Sequence, residues 1–382
     1  RTPISGGWAY AVPLLAAQQL ATALAYLARV GGAAGLLQAT HLAIILSLAG
    51  VDLVDLTDRG ADGAVAGLIG TAAGQGAPAP IEGAALLTSL LSSFASTLQG
   101  TDAKAALEYL ILIPDAGSLP QSLASSTIGQ AARAYVQRLI LDTRAFEALA
   151  GVVSKDGTRV QATSAKTTAV AGSWAGALDQ HFSSSEVSIL LAGAAEEAIR
   201  RGNPADACEI LTLAGKYAQL LSVLNAELVS LLVAEDPVDE DFAHRRDFWR
   251  SAANTFHSIH LNGVRNHVIE SLEVEDSLHL GNTFQLIMNL MVFFDRCQDR
   301  DWEGAWILID ALGLLPASDN EMSRKVAGYH SLDSDLKGKS FRQVVLRAME
   351  SLYQQHSSLK ARLGGAQSAD AAHAIQQRLG DL

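Results

Sequence analysis

The chain has 382 residues, 49% of them hydrophobic and only 6% aromatic, and a formal net charge of −12. That length exceeds what one hydrophobic core usually supports, so two domains or a repeat-like stack are expected. An acidic chain without a block of five like charges is poorly suited to grip a phosphate backbone or an anionic lipid surface.

Ala, Leu and Gly are abundant, and small residues let helix backbones approach closely, which favours helix-on-helix packing. Two cysteines, Cys208 and Cys297, are too few for a disulfide framework and fit a reducing compartment; both read as small buried hydrophobes on helices. No charged segment followed by an apolar core opens the chain, so a signal peptide is not expected. The chain starts at Arg1 rather than Met, which predicts a piece of something longer. The most membrane-like stretch, residues 36–54, carries His41 and Asp52 and too few uninterrupted apolar residues for a span.

In chain order, Pro13 suits the first turn of a helix over 14–30, closed by Gly31 and Gly32. A helix over 36–48 ends at Gly50, and residues 58–80, rich in Gly, Ala and Pro, read as a linker. Helices follow over 84–98 and 103–113, the second capped by Thr101 and Asp102 and stopped by Pro114. Residues 126–149 read as one long helix or two broken ones, 155–158 as a turn, and 160–181 as a linker without clear period. Ser184, Ser185 and Glu186 open a helix to Arg201, and further helices cover 205–215 and 217–233. Residues 234–241 form an acidic linker, 242–260 an amphipathic helix, and 261–282 give no clear assignment.

The strongest signal is 283–316. Phe284, Ile287, Met288 and Met291 fall at i, i+3, i+4 and i+7; Trp302, Ala305, Trp306 and Ile309 repeat the spacing. The polar stretch 295–301 between them reads as a turn, Asp301 as an N-cap and Pro316 as the stop. Helices are also expected over 320–332, 340–359 and 367–382. No stretch alternates with period two, so strands are not expected.

One pattern recurs. Gln19, Asp102, Asn203 and Asp301 each stand four residues before an alanine (Ala23, Ala106, Ala207, Ala305) and eight before Leu or Ile. The polar residue can cap, the alanine lets a neighbouring backbone come close, and the aliphatic fills the gap beyond. The copies lie 83, 101 and 98 residues apart, so this is the recurring second helix of a helical pair rather than a strict repeat. The expected fold is therefore all-α: an elongated irregular α-solenoid of antiparallel helix pairs, with room to fold back on itself. Residues 1–382 are read as a single solenoid fragment with linkers near 58–80, 160–181 and 234–241.

No catalytic, cofactor-binding or metal-binding residue is assigned. Asp295, Asp299 and Asp301 invite a Mg²⁺ reading, as in all-α isoprenoid synthases, but a diphosphate clamp needs a second carboxylate motif opposite, and none is present. The three aspartates read instead as solvent-facing caps. His257, His260 and His267 lack a completing Cys or Glu-x-x-His partner. Residues 67–76 lack a phosphate-loop lysine, and Gly172, Ser173 and Trp174 do not make a nucleophile elbow. Trp302 and Trp306 read as core, since an aromatic pair at i, i+4 usually packs inward.

With the helices placed, the chain resembles the nucleoporin-interacting-component family, the inner-ring scaffold nucleoporins of the nuclear pore. Residues 13–48 are similar to that family's paired helices. Thr101, Asp102, Ala106, Leu107 and Tyr109 match its T-D-P-x-x-A-L-x-Y segment, and Leu139, Thr143, Arg144, Phe146 and Gly151 match a second motif. Residues 284–315 and 329–359 are similar to its C-terminal helices, while 58–80, 160–181 and 233–282 depart from the pattern. The resemblance implies a non-enzymatic scaffold at the nuclear envelope that supports nucleocytoplasmic transport. It implies docking of a short amphipathic motif of an adaptor nucleoporin, and recruitment of channel nucleoporins through an N-terminal region outside this chain. It implies no cofactor, no direct nucleic-acid contact and no membrane insertion. Protein-contact residues are not carried over, because the matched positions are packing positions. The competing readings are another α-solenoid, such as a trafficking or vesicle-coat adaptor, and an all-α Mg²⁺-dependent enzyme built around Asp295 and Asp299.

Overall fold

The structure, a computed structural model, describes residues 8–51, 53, 83–113, 130–152, 159, 176–232, 240–261, 267–274, 277–315, 329, 334 and 336–364. Contacts divide the chain into two units, Arg1–Ser154 with Arg159–Gly215, and Lys155–Thr158 with Lys216–Leu382. Among the described residues the regular structure is helical, with isolated bridge residues at Gly151 and Arg159.

The first unit contains α1 (Trp8–Ala16), α2 (Leu20–Val30), α3 (Gly32–Leu48), α4 (Gly83–Leu98) and α5 (Ala103–Ile111). It continues with α6 (Gln130–Thr143), the short α7 (Phe146–Ala150), a 3₁₀ turn (Ala177–Gln180), α8 (Ser184–Arg200) and α9 (Pro204–Ala214). From α1 to α6 each helix packs on the next in chain order; α6 then packs on α8, and α8 on α9. This is the nearest-neighbour stacking that periodicity implies. Apolar faces drive it: Val187, Leu190, Leu191, Ala194, Ala195 and Ala198 form one fully buried stripe of α8.

The second unit contains α10 (Tyr217–Ser230), α11 (Glu240–Phe256), α12 (His267–Val274), α13 (Leu278–Gln298), α14 (Trp302–Ala311) and α15 (Phe341–Gly364). Here α10 is the hub. It touches α11, α12, α13 and a π turn (Leu336–Ser340) that leads into α15. Its buried face, Leu220, Leu221, Leu224 and Leu228, reads i, i+1, i+4, i+8. Phe284 and Phe293 of α13 are fully enclosed beside it. Truncating such a ring to alanine costs about 3–5 kcal/mol.

The recurring pattern is a packing device. Ala23, Ala106, Ala207 and Ala305 are all 0% exposed, and Leu27, Leu110, Leu211 and Ile309 at most 4%. Each sits on the second helix of a pair: α1–α2, α4–α5, α8–α9 and α13–α14. Asp102 and Asp301 accept backbone N–H bonds as N-caps, whereas Gln19 and Asn203 stand at the cap position without a side-chain bond.

Three of the four pairs share one turn. Gln18, Gly202 and Arg300 adopt φ of 61°, 76° and 62°. The next N–H donates five residues back, from Gln19 to Leu14, Asn203 to Ala198 and Asp301 to Arg296, at 2.9 Å each. Gln18, Gly202 and Arg300 themselves donate to Leu15, Ile199 and Cys297. This is the Schellman arrangement, which satisfies the last carbonyls of the first helix. The following residue is then the N-cap of the second helix, so a three-residue connection reverses the chain.

Several expectations shift. The helix expected over 14–30 is two, α1 and α2, with Pro13 inside α1 and the break at Gln18. Residues 126–149 contain two helices split at Arg144, which has φ 51°. The linker near 234–241 stops short, since α11 begins at Glu240, and residues 261–282 contain α12 and the start of α13. The linker near 160–181 includes the ordered turn at Ala177–Gln180. The 295–301 turn shrinks to Asp299–Asp301 because α13 continues through Gln298, and α14 ends at Ala311, ahead of Pro316. Residues 58–80, 155–158, 316–328 and 367–382 lie outside the described residues.

A left-handed backbone at a residue with a Cβ costs about 1–2 kcal/mol, part of which glycine gives back through its freer unfolded chain. Arg300 is exposed. Arg300→Gly is therefore expected to stabilise the protein by about 1 kcal/mol in urea unfolding. A loss of stability would show that the arginine side chain contributes more than its backbone costs.

Candidate functional site

The residues singled out in the sequence do not converge. Asp295 lies inside α13, with its side chain only 24% exposed. Its Oδ1 accepts from Arg246 Nη2 at 2.6 Å and its Oδ2 faces Arg250 Nη1 at 2.5 Å. Both arginines belong to α11, one turn apart, so their guanidinium groups reach the same carboxylate. Asp295 is thus a clamp between α11 and α13 rather than a solvent-facing cap. Its carboxylate is already committed to two cations. Asp299 and Asp301 are exposed, and Asp301 Oδ1 holds the Gly304 N–H at 3.1 Å.

The histidines do not form a site either. His257 stacks on Phe284 with ring centroids 6.5 Å apart, while the side chains of His260 and His267 lie outside the described residues. Among the described residues no three His, Cys, Asp or Glu are grouped to hold a metal ion, and no helix is long and apolar enough to cross a membrane. Residues 67–76 and 172–174 also lie outside the described residues.

Trp302 and Trp306 are half-buried, not core. The inward positions of α14 are Ala305 and Ile309. With the small alanine on the contact line, the helices sit too close for an indole between them. Cys297 is buried as expected, with its Sγ 3.5 Å from Ser351 Oγ, and burial pushes its thiol pKa up, which keeps it an inert thiol. Cys208 is half-buried.

A depression in the first unit lies at the α6–α7 break, about 560 Å³, lined by Lys104, Arg144, Phe146, Glu147, Val152 and Glu209. The second family-like motif builds it. Thr143 Oγ1 accepts from the Ala145 N–H and donates to the Leu139 carbonyl, Phe146 is buried, and Gly151 has φ 85°. Arg144 reaches Asp206 on α9 with two nitrogens, Nε to Oδ2 at 2.9 Å and Nη2 to Oδ1. This bidentate hydrogen bonding raises the guanidinium pKa further above its ordinary value. A second link closes the same region: Arg159 pairs with Asp179, their side chains 9% and 6% exposed, and donates to the Ala150 carbonyl at 3.2 Å. The pairing of Arg144 with Asp206 has no sequence signal, because 62 residues separate them.

These arrangements position helices; none places a nucleophile beside a base. Removing Asp295 would leave two arginines facing each other without a counter-charge. Because all three side chains keep some solvent contact, Asp295→Ala is expected to cost about 1–3 kcal/mol, below the 3–5 kcal/mol of a fully enclosed pair. Thermal unfolding checks it, and an unchanged melting temperature, or Mg²⁺-dependent stabilisation of the unsubstituted protein, would contradict the clamp.

Comparison with known proteins agrees with this picture of a helical framework. A family model described as Nup93/Nic96 matches residues 5–381. The nuclear pore complex protein Nup93 of Danio rerio is 24% identical over 276 residues, 72% of this chain and 29% of its own length. Nup93 of Xenopus tropicalis is 21% identical over 273 residues, covering 71% of this chain and 28% of its own. This chain therefore spans less than a third of those relatives. The crystal structure of Chaetomium thermophilum Nic96 SOL superposes with a TM-score of 0.59 at 18% identity, covering 98% of this chain and 52% of that one, which shows a shared fold. The chain belongs to the Nup93/Nic96 family.

Proposed function

We propose that this chain is part of a structural scaffold nucleoporin of the nuclear pore inner ring. It holds pore architecture at the nuclear envelope and thereby supports nucleocytoplasmic transport. The observation that carries the reading is the family match over residues 5–381, nearly the whole chain, with relatives named as nuclear pore complex proteins.

The physical organisation fits that role. Both units are bundles of paired helices whose charged side chains join one helix to another, as Arg144–Asp206 and Arg246–Asp295 do. A stack of helices offers long grooves, and grooves of this kind take amphipathic partner helices at i, i+3, i+4 and i+7. The partners in this reading are other inner-ring nucleoporins, with an adaptor nucleoporin engaged through such a short motif, and channel nucleoporins through a segment outside this chain. The role is structural, and no catalytic step is assigned to it.

A tagged full-length protein carrying this chain is expected to mark the nuclear rim, and to recover inner-ring nucleoporins from nuclear-envelope extract. Cytoplasmic puncta without rim signal would point to a trafficking or coat adaptor instead.

A further inference from the structure

Helix α15 has two seams, and the fold uses one of them. Val344, Ala348, Ser351 and Leu359 are buried, on the side that packs against α13 and α14. On the other side Arg342, Leu346, Met349, Tyr353, His356 and Lys360 are all exposed. Their spacing alternates four and three residues, the repeat of a coiled-coil seam. Leu346, Met349 and Tyr353 are 47%, 63% and 68% exposed, so the apolar centre faces solvent. Val345 and Leu352, half-buried beside it, form an apolar shoulder. The seam runs for about 27 Å at 1.5 Å per residue.

The residue types are those enriched at the centre of protein interfaces: Met, Tyr and Arg. The charges say what kind of helix fits. Among the described residues, Arg347 pairs with Glu350, while Arg342, Lys360 and Arg362 take part in no ion pair. In a chain of net charge −12, this seam is apolar in the middle and cationic at both ends. A second copy of α15 fits badly. Antiparallel pairing that sets Met349 against Tyr353 also sets Arg342 against Lys360, and parallel pairing sets Arg342 against itself; like charges across a seam are unfavourable.

We propose that the outer seam of α15 docks an acidic amphipathic helix of a protein partner. Its apolar residues pack on Leu346, Met349 and Tyr353 and its carboxylates meet Arg342 and Lys360. The proposal stands on the geometry and charge of this helix, whichever cellular structure the protein serves.

The test uses the full chain and two fluorescent peptides of about three heptads. Both carry Leu at the a and d positions; one has Glu on the flanks, the other Lys. The acidic peptide is expected to bind at least about tenfold more tightly, and Arg342→Glu with Lys360→Glu to reverse the preference. Tyr353→Ala is expected to weaken the acidic peptide by about tenfold with an unchanged melting temperature, since the side chain is exposed. Equal binding of both peptides, binding of neither, or a preference that survives the charge reversal would overturn the proposal. A photocrosslinking amino acid in place of Met349 supplies an independent arm. A crosslink to the acidic peptide supports the seam; a crosslink within the chain to residues 365–382, or to a second copy, assigns it to that occupant and overturns the proposal.

Discussion

The fold depends on how closely paired helices can approach. At Ala23, Ala106, Ala207 and Ala305 the second helix of a pair presents a single methyl group, fully buried, at the same distance from its start. A larger side chain there would push the backbones apart and lift the aliphatic residue one turn on, Leu27, Leu110, Leu211 or Ile309, out of its place. Dispersion falls steeply with separation, so most of the packing energy of each pair hangs on that approach. The turn works with it. In three pairs a left-handed residue and two backward N–H bonds fix where the second helix starts, and so which alanine meets the first helix.

Polar contacts then set register rather than supply most of the energy. Arg144–Asp206 ties the α6–α7 break to α9, Arg159 pairs with Asp179 of the 3₁₀ turn, and Asp295 draws Arg246 and Arg250 of α11 onto α13. Apolar faces alone tolerate sliding by a turn; a bidentate ion pair across the same faces does not. These links lie within the units and join residues far apart in the chain.

This division explains what the sequence could and could not reveal. Helices and their order were legible because a stripe such as Val187, Leu190, Leu191 and Ala194 repeats with the helical period, and the recurring alanine marked the helical pairs. Caps built from Asp102 and Asp301 were legible because their chemistry is local, whereas α8 is capped by Ser183, one residue ahead of the Ser184 expected to open it. The break at Gln18 was not, nor was the place of the break at Arg144 within a stretch read as one long helix or two, because left-handed turns are signalled by glycine and neither residue is one. The role of Asp295 was missed for a related reason. A carboxylate near a helix end looks like a solvated cap until a different helix brings two arginines to it. Trp302 and Trp306 were misplaced because the period identifies a face but not which residue on it stands at the line of closest approach. The exposed seam of α15 was hidden likewise, since Val344 and Ala348 repeat at helical spacing on the buried side and the period alone marks only that face.

Close approach at the alanine line is the claim on which this account stands. Its most direct measurement is urea unfolding of four single variants, Ala23→Leu, Ala106→Leu, Ala207→Leu and Ala305→Leu, with Leu at the exposed Ala34 as control. Each buried substitution is predicted to cost about 1–3 kcal/mol or more through overpacking, against less than about 0.5 kcal/mol at the control. Four losses no larger than the control would show that the pairs have room to spare, and would contradict the central role given to these residues.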